Sequence, residues 1–329
     1  MPTGTPHEMS PVITGCGLAV SGLHDEYDLL EPAEAGVGSP AGADRDGDAA
    51  RADAGMRHKD RASRLALHAV RRALAGAALR DPATTAVIVS SNFGNLDTVC
   101  DFTDTIAAET VTGLSPIRVP HMSSNVTAGW VAMAHGLRGP NITLCSGTTG
   151  GLDAVFWAAA LLAAGRAEAA VVVGVEPDTA PVARLHREHG GGRWLDGAAC
   201  LVVERPEDAR ARGVRARAVI AGYGRAAGRA EAVGQATKVY DGPLGLWVAP
   251  GHPASTLDLT ARLGRCSGAL GVLQCAAGAA RFDRSQDDFV LAVAGDDHTG
   301  AADGEGDPGG VAAVLLGRPG SGPGGRWSA

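Results

Sequence analysis

Lysine is nearly missing: among 329 residues it stands only at Lys59 and Lys238, and arginine carries almost all the positive charge. No basic block offsets the net charge of −7. Phosphate backbones are bound through clustered Lys and Arg, so nucleic acid is excluded as a partner. Paired cysteines are missing too. Cys16, Cys100, Cys145, Cys200, Cys266 and Cys275 are scattered, never spaced as CxxC, and mostly flanked by apolar residues as in "AACLVV" and "LQCAAG". That pattern reads as reduced, buried thiols, with neither disulfides nor a metal site. The opening "MPTGTPHEMSPVITG" lacks the basic start and apolar run of a signal peptide. The longest apolar stretches, "AVFWAAALLAAG" and "AEAAVVVGVE", are interrupted by Gly165, Arg166 and Glu168. Neither reaches the roughly 18–20 residues of a membrane span. The expectation is a cytoplasmic protein that touches no membrane.

Two motifs fail at a required residue. The early "GCG" has Val20 where a dinucleotide fingerprint needs its third glycine. The acidic "DRDGD" run has Ala49 and Gly55 where a calcium loop starting at Asp44 needs Gly and Glu. No cofactor of the chain's own is expected.

What is present is 45% hydrophobic residues in segments of alternating type, enough for one large core or two fused half-domains. "PVITGCGLAV", "TTAVIVSSN", "NITLC", "AEAAVVVGVE", "GAACLVVE", "RARAVIAGYG", "DDFVLAVAG" and "GGVAAVLLG" read as strands. Helical spacing appears over residues 59–79, 96–108, 150–164 and 266–282, with a short helix or turn at 205–213. Residues 31–55 show no apolar period and read as a flexible loop, and 319–329 as a disordered tail. The alternation predicts an α/β fold with buried strands, divided into an N-terminal half, residues 1–185, and a C-terminal half, 186–318, opening near Trp194.

The most informative stretch is "LCSGTTGGLDAV", residues 144–155. A strand running into a glycine-rich turn and then a helix places the turn at a helix N-terminus, where N–H groups and the dipole favour an anion. A cysteine there becomes a good acyl acceptor. The tip of this turn is Thr148.

Residues 139–176 resemble, without a gap, the nucleophile region of the β-ketoacyl synthases, members of the thiolase fold. "SPIRVPHMSSNVTAGWVAMAHGLRGP" before it, and "LDGAACLVVERPEDARARGVRARAVIAGYG" and "GRCSGALGVLQCAAGA" after it, match the same family in order. The resemblance implies two similar βαβαβαββ-type halves in a layered αβαβα sandwich. In its register the nucleophilic cysteine falls at Thr148 and the second catalytic histidine at Arg265. A threonine hydroxyl is un-ionised at neutral pH, and Arg265 is permanently charged and shuttles no proton. His252, in "APGHPAST", matches the other histidine, with two readings open: a remnant pocket or an exposed loop. "GDDHTGAADGEGDPGG" replaces the family's glycine- and phenylalanine-rich gate.

Within the family, "GGLDA" after the missing nucleophile is similar to chain length factors, the catalytically silent partners of type II polyketide ketosynthases. Thr148, where aromatic-polyketide members carry Gln, and the short chain resemble the factors of highly reducing systems. The resemblance implies a heterodimer with a ketosynthase subunit, "NITLC" pairing across the interface beside residues 123–134. It also implies an acyl carrier protein as partner, with phosphopantetheine only on that carrier. A tunnel for the growing chain would be walled by Phe93, Leu96, Val99, Cys100 and Phe102, with Arg118 and Met122. Asp97, Asp101 and Asp104 are read as the solvent or interface face of that helix, and Thr148 as a cap on the helix after the turn. Two alternatives stay open: an active condensing enzyme or acyltransferase using Cys145, and a homodimeric thiolase-fold binding protein.

Overall fold

The computed structural model describes residues 10–31, 59–77, 79–188, 192–238, 240, 242–253, 255–295 and 310–320. Most of the 31–55 loop, the gate segment after Gly295 and most of the tail lie outside them.

The first half comprises β1 (Val12–Val20), α1 (Arg61–Gly76), β2 (Thr85–Ser90), α2 (Leu96–Glu109), α3 (Val126–His135), β3 (Asn141–Leu144), α4 (Gly150–Ala163), β4 (Ala169–Glu176), α5 (Ala180–Glu188), β5 (Gly197–Glu204) and α6 (Pro206–Ala211). The second comprises β6 (Ala218–Ala226), α7 (Arg229–Ala236), β7 (Leu246–Val248), α8 (Leu259–Leu263), α9 (Leu270–Arg284), β8 (Phe289–Gly295) and β9 (Val311–Gly317).

Among the described residues the strands form one sheet in the order β3-β2-β4-β5-β1-β6-β9-β8-β7. Read outward from the centre, the same pattern appears twice. β1, β5 and β4 are successively antiparallel, then β2 and β3 continue parallel to β4. β6, β9 and β8 are successively antiparallel, then β7 continues parallel to β8. The counterpart of β3 is reduced to a single parallel bridge, Val248 to Leu257. Among the described residues the two strand groups pair at the centre of the sheet through Val12 with Val219 and Ile13 with Ala218. One grouping in the sequence reading changes: "GAACLVVE" is β5, and it pairs between β4 and β1 among the first five strands. Its position after a loop at Trp194 made it look like an opening strand; its hydrogen bonds run backward in the chain.

Side-chain alternation builds the layers. Successive residues of a strand face opposite sides, and here both sides are buried. On β5, Ala199, Leu201 and Val203 join the central core, while Ala198, Cys200 and Val202 join the outer core under α1 and α3. On β8, Val290, Ala292 and Ala294 face the central core, while Leu291 and Val293 pack with Ala232 and Ala236 of α7. The central core is filled by α4 and α9, through Leu152, Val155, Leu162, Leu273 and Phe282. Helices, half-sheet, helices, half-sheet and helix therefore stack in five layers.

The glycines of "TTGGLDA" are explained by this centre. A Cβ on Gly151 would lie 2.7 Å from the backbone nitrogen of Gly271, and one on Gly271 would lie 2.2 Å from that of Leu152. α4 and α9 touch backbone to backbone, and only glycine permits that approach.

Candidate active-site remnant

β2, β3 and β4 run parallel, so their carboxyl ends gather at one place, where the loops of an α/β sheet carry its sites. Residues 91–93, 145–148 and Glu176 meet there. Gly147 takes a left-handed backbone (φ 68°) and starts the 3-10 turn Gly147–Thr149 that leads into α4. Thr148 is half-buried in this turn and Thr149 is fully buried. The turn runs directly into the N-terminus of α4, where backbone N–H groups and the dipole favour an anion.

Asn92 ties this turn to the opposing one. Its side-chain nitrogen donates to the Gly147 carbonyl at 3.0 Å and to Ser267 Oγ at 2.7 Å, and its oxygen accepts from the Gly147 N–H at 3.1 Å. Ser267 holds a left-handed backbone, φ 44°, uncommon for a residue with a side chain. The next residue, Gly268, donates its N–H to Glu176 at 3.0 Å, and Glu176 also accepts from the N–H groups of Asn92 at 2.8 Å and Phe93 at 3.1 Å. Burial outweighs these donors and pushes the Glu176 carboxyl up to about 7. This acid, at the end of "VVVGVE", clamps both turns.

A second polar cluster anchors the start of α4. Asp153 is buried and accepts from Tyr223 at 2.7 Å, Thr149 at 3.1 Å and Ser146 at 3.2 Å, and it pairs with Arg225. Burial first, then Asp153, holds the Tyr223 hydroxyl above its ordinary range. Thr149, not Thr148, is the N-cap residue of α4, and it makes no side-chain cap bond. Its hydroxyl shares its one proton between the Ser146 carbonyl at 3.0 Å and Asp153 at 3.1 Å. The chain is already helical at Thr149, so the cap expected of Thr148 falls inside the preceding turn.

Arg265 and His252 are placed apart. Arg265 is exposed, its backbone is bonded to Arg193 and Leu195, and its guanidinium lies 5.4 Å from the Trp194 ring centre. The His252 ring lies on Trp247, 4.8 Å between centres, in the loop after β7. Partial burial and the charge of Glu176 push the Cys145 thiol up, the direction opposite to that of an activated nucleophile.

The tunnel candidates divide. Phe93 turns edge-on to His186 (5.1 Å) and Trp194 (6.2 Å). Leu96, Val99 and Cys100 are half-buried on α2. Phe102 is buried, with the Arg118 guanidinium 5.7 Å from its ring and that arginine paired to Asp101 at 2.5 Å. Met122 is exposed, and its carbonyl accepts from Asn95 at 2.7 Å. Asp101 and Asp104 face outward, but Asp97 does not: it accepts from Thr179, and burial raises its pKa. Its place in the first turn of α2 faces the segment leading into α5. Sequence reasoning missed Asn92, Asp153, Glu176, His186 and Trp194. An acid closing an all-apolar strand was a signal for Glu176 alone.

With this geometry in view, residues 46–192 match the beta-ketoacyl synthase N-terminal domain. The chain has the thiolase fold of the ketosynthases. It is 31% identical over 160 residues to 3-oxoacyl-[acyl-carrier-protein] synthase 2 of Vibrio harveyi, covering 42% of this chain and 39% of that one. To the same enzyme of Rhizobium meliloti it is 29% identical over 170 residues, 44% and 40% of the two chains. The matches thus span about two fifths of these curated relatives. Solved structures agree over nearly the whole chain. The ishigamide ketosynthase/chain length factor superposes with a TM-score of 0.73 at 23% identity, covering 94% of this chain and 99% of that one. A type II PKS ketosynthase in complex with its acyl-carrier protein superposes with a TM-score of 0.78 at 16% identity, again covering 94% and 99%. Among the described residues no helix is long and apolar enough to cross a membrane.

Proposed function

We propose that the chain is a non-catalytic chain length factor of a type II polyketide synthase. It pairs with a ketosynthase subunit and forms part of the wall of the tunnel that holds the growing acyl chain. The observation that carries this reading is the pair Thr148 and Arg265, in the two turns that Asn92 ties together through Gly147 and Ser267. An un-ionised hydroxyl and a fixed cation supply neither the acyl acceptor nor the proton shuttle of condensation. The raised thiol of Cys145 speaks against a displaced nucleophile.

The surface supports a partner. Ile106, Val111, Ile117, Val119, Met133 and Trp157 are large apolar side chains left exposed, and all fall between residues 106 and 157. β3 lies between them in the chain and, among the described residues, is an edge strand whose outer hydrogen-bonding groups face no other strand of the sheet. Open edges of this kind are normally covered, and a ketosynthase adding its own edge strand would continue the sheet. The ketosynthase partner holds the chain on its cysteine, and an acyl carrier protein delivers the extender units. Thr148, in place of the Gln of aromatic-polyketide members, favours a highly reducing system.

Co-expression with the ketosynthase of the adjacent reading frame tests this reading. A 1:1 complex that survives gel filtration is expected. A stable homodimer indifferent to that ketosynthase would favour the homodimeric binding protein instead.

A further inference from the structure

Beside the turn stands a column of side chains, in which His186 and Trp194 have no part in the reading above and Phe93 and Arg265 join them. The His186 and Trp194 rings lie parallel, 5° apart in plane, and Phe93 meets both edge-on at 86°. The Arg265 guanidinium closes the column over Trp194. Four separate segments contribute: the loop after β2, helix α5, the loop before β5 and the turn before α9. Each is fixed by backbone bonds. The Phe93 N–H is held by Glu176 at 3.1 Å. The Leu195 N–H donates to the Arg265 carbonyl at 3.0 Å, and the Arg265 N–H donates to the Arg193 carbonyl at 2.9 Å. Gly264 (φ 83°) lets this strand-like pairing close, since a Cβ there would lie 2.4 Å from the Arg193 carbonyl oxygen. The column adjoins the turn directly: Phe93 follows Asn92, which bonds Gly147, and Arg265 lies two residues before Ser267, which Asn92 also bonds.

We propose that Trp194, with His186, Phe93 and Arg265, is a plug that fills the space an acyl chain attached at position 148 would need. Resting on the silent-subunit reading, this adds that the subunit is closed to acylation twice, by the missing thiol and by the missing room. Restoring the thiol alone leaves the site shut to long chains. A ring stack locked from four segments cannot swing aside as a lone rotamer does, because each ring is held by its neighbours' packing.

The test uses the full chain co-purified with its ketosynthase, the latter carrying Cys→Ala at its own nucleophile. Variants are Thr148→Cys and Thr148→Cys combined with Trp194→Gly. Each is treated with iodoacetamide, a small alkylating agent, and with an octanoyl carrier-protein thioester. In acylation the new sulfur at position 148 attacks the thioester carbonyl. A carbon–sulfur bond forms there, the carrier's carbon–sulfur bond breaks, and the carrier leaves as its thiol with the proton. The expected result is alkylation of both variants but octanoylation of the double variant alone, at least ten-fold faster than the single one by intact mass. Equal octanoylation of the two would overturn the plug. So would a double variant that alkylates and melts normally yet takes no octanoyl group. Phe93→Ala, which removes the ring that meets both His186 and Trp194 edge-on, replaces Trp194→Gly if that variant melts early. Failure of the underlying reading looks different: the chain with Thr148 intact would itself gain an acyl group, or no complex would form.

Discussion

At Glu176 burial works against three N–H donors, and the balance leaves a carboxyl with a pKa of about 7 instead of 4.5. Folded, the acid keeps its proton almost to neutral pH; unfolded, it releases it near 4.5. The stability it contributes is therefore full below pH 4.5 and is lost as pH rises through 7. At 1.36 kcal/mol per pKa unit the loss is about 3 kcal/mol. Glu176→Gln keeps one acceptor oxygen and removes the titration. Urea unfolding at pH 5 and pH 8 should show the unmodified chain losing about 2 kcal/mol more than the variant, since part of the loss is already complete at pH 5. Parallel pH profiles would mean that the carboxyl is ionised throughout. The site residues were unevenly legible from sequence. Thr148 and Arg265 were found through the register of the family resemblance, which sets them where a cysteine and a histidine would stand. Asn92, Glu176 and Trp194 act through bonds to segments 55 to 175 residues away or through ring contacts, and no local spacing reports those.

Among the elements, the crossing of α4 and α9 is a backbone-to-backbone contact, and its chemistry is plain in the chain as "GG" and "LG". Gly151→Ala places a methyl group within 2.7 Å of backbone that cannot move without shifting a helix. Overpacking of this kind costs about 1–3 kcal/mol or more, so the melting temperature should fall by several degrees. Gly234→Ala on α7 is the counterpart: nothing lies within 4 Å of the added carbon, and helix propensity should raise stability by about 0.5–1 kcal/mol. Thermal melts of the two variants should move in opposite directions; a harmless Gly151→Ala would contradict the close crossing. The long buried strands and α1, α2, α4 and α9 could be read from apolar period because packing follows it directly. α5, α7 and the three-residue β7 could not. Their apolar content is small, and tertiary contacts such as the His186–Trp194 stack and the β8 ladder hold them.

For the whole molecule, the repeat of strand pattern about the β1–β6 junction accounts for the five layers, and the uneven exposure of apolar side chains marks the face where the proposed partner would bind. Ile117, 82% exposed within the 3-10 segment Pro116–Met122, contributes little to the fold of the single chain. Ile117→Asp should leave the melting curve of the isolated chain within about 0.5 kcal/mol of the unmodified one. The same change should weaken ketosynthase pairing at least ten-fold, about 1.4 kcal/mol, read by analytical ultracentrifugation. Unchanged pairing would move the interface to another face. The layered α/β architecture was legible from the alternation of segments. The placement of β5 was not, because chain order does not say which earlier strand a new one joins.

The central claim is that this chain shapes a reaction it does not perform. Intact-mass spectrometry of the co-purified pair, after incubation with acyl- and malonyl-carrier protein, tests it most directly. The account predicts an acyl adduct on the ketosynthase subunit and none on this chain. A stoichiometric adduct on this chain, at Thr148 or at Cys145, would contradict it.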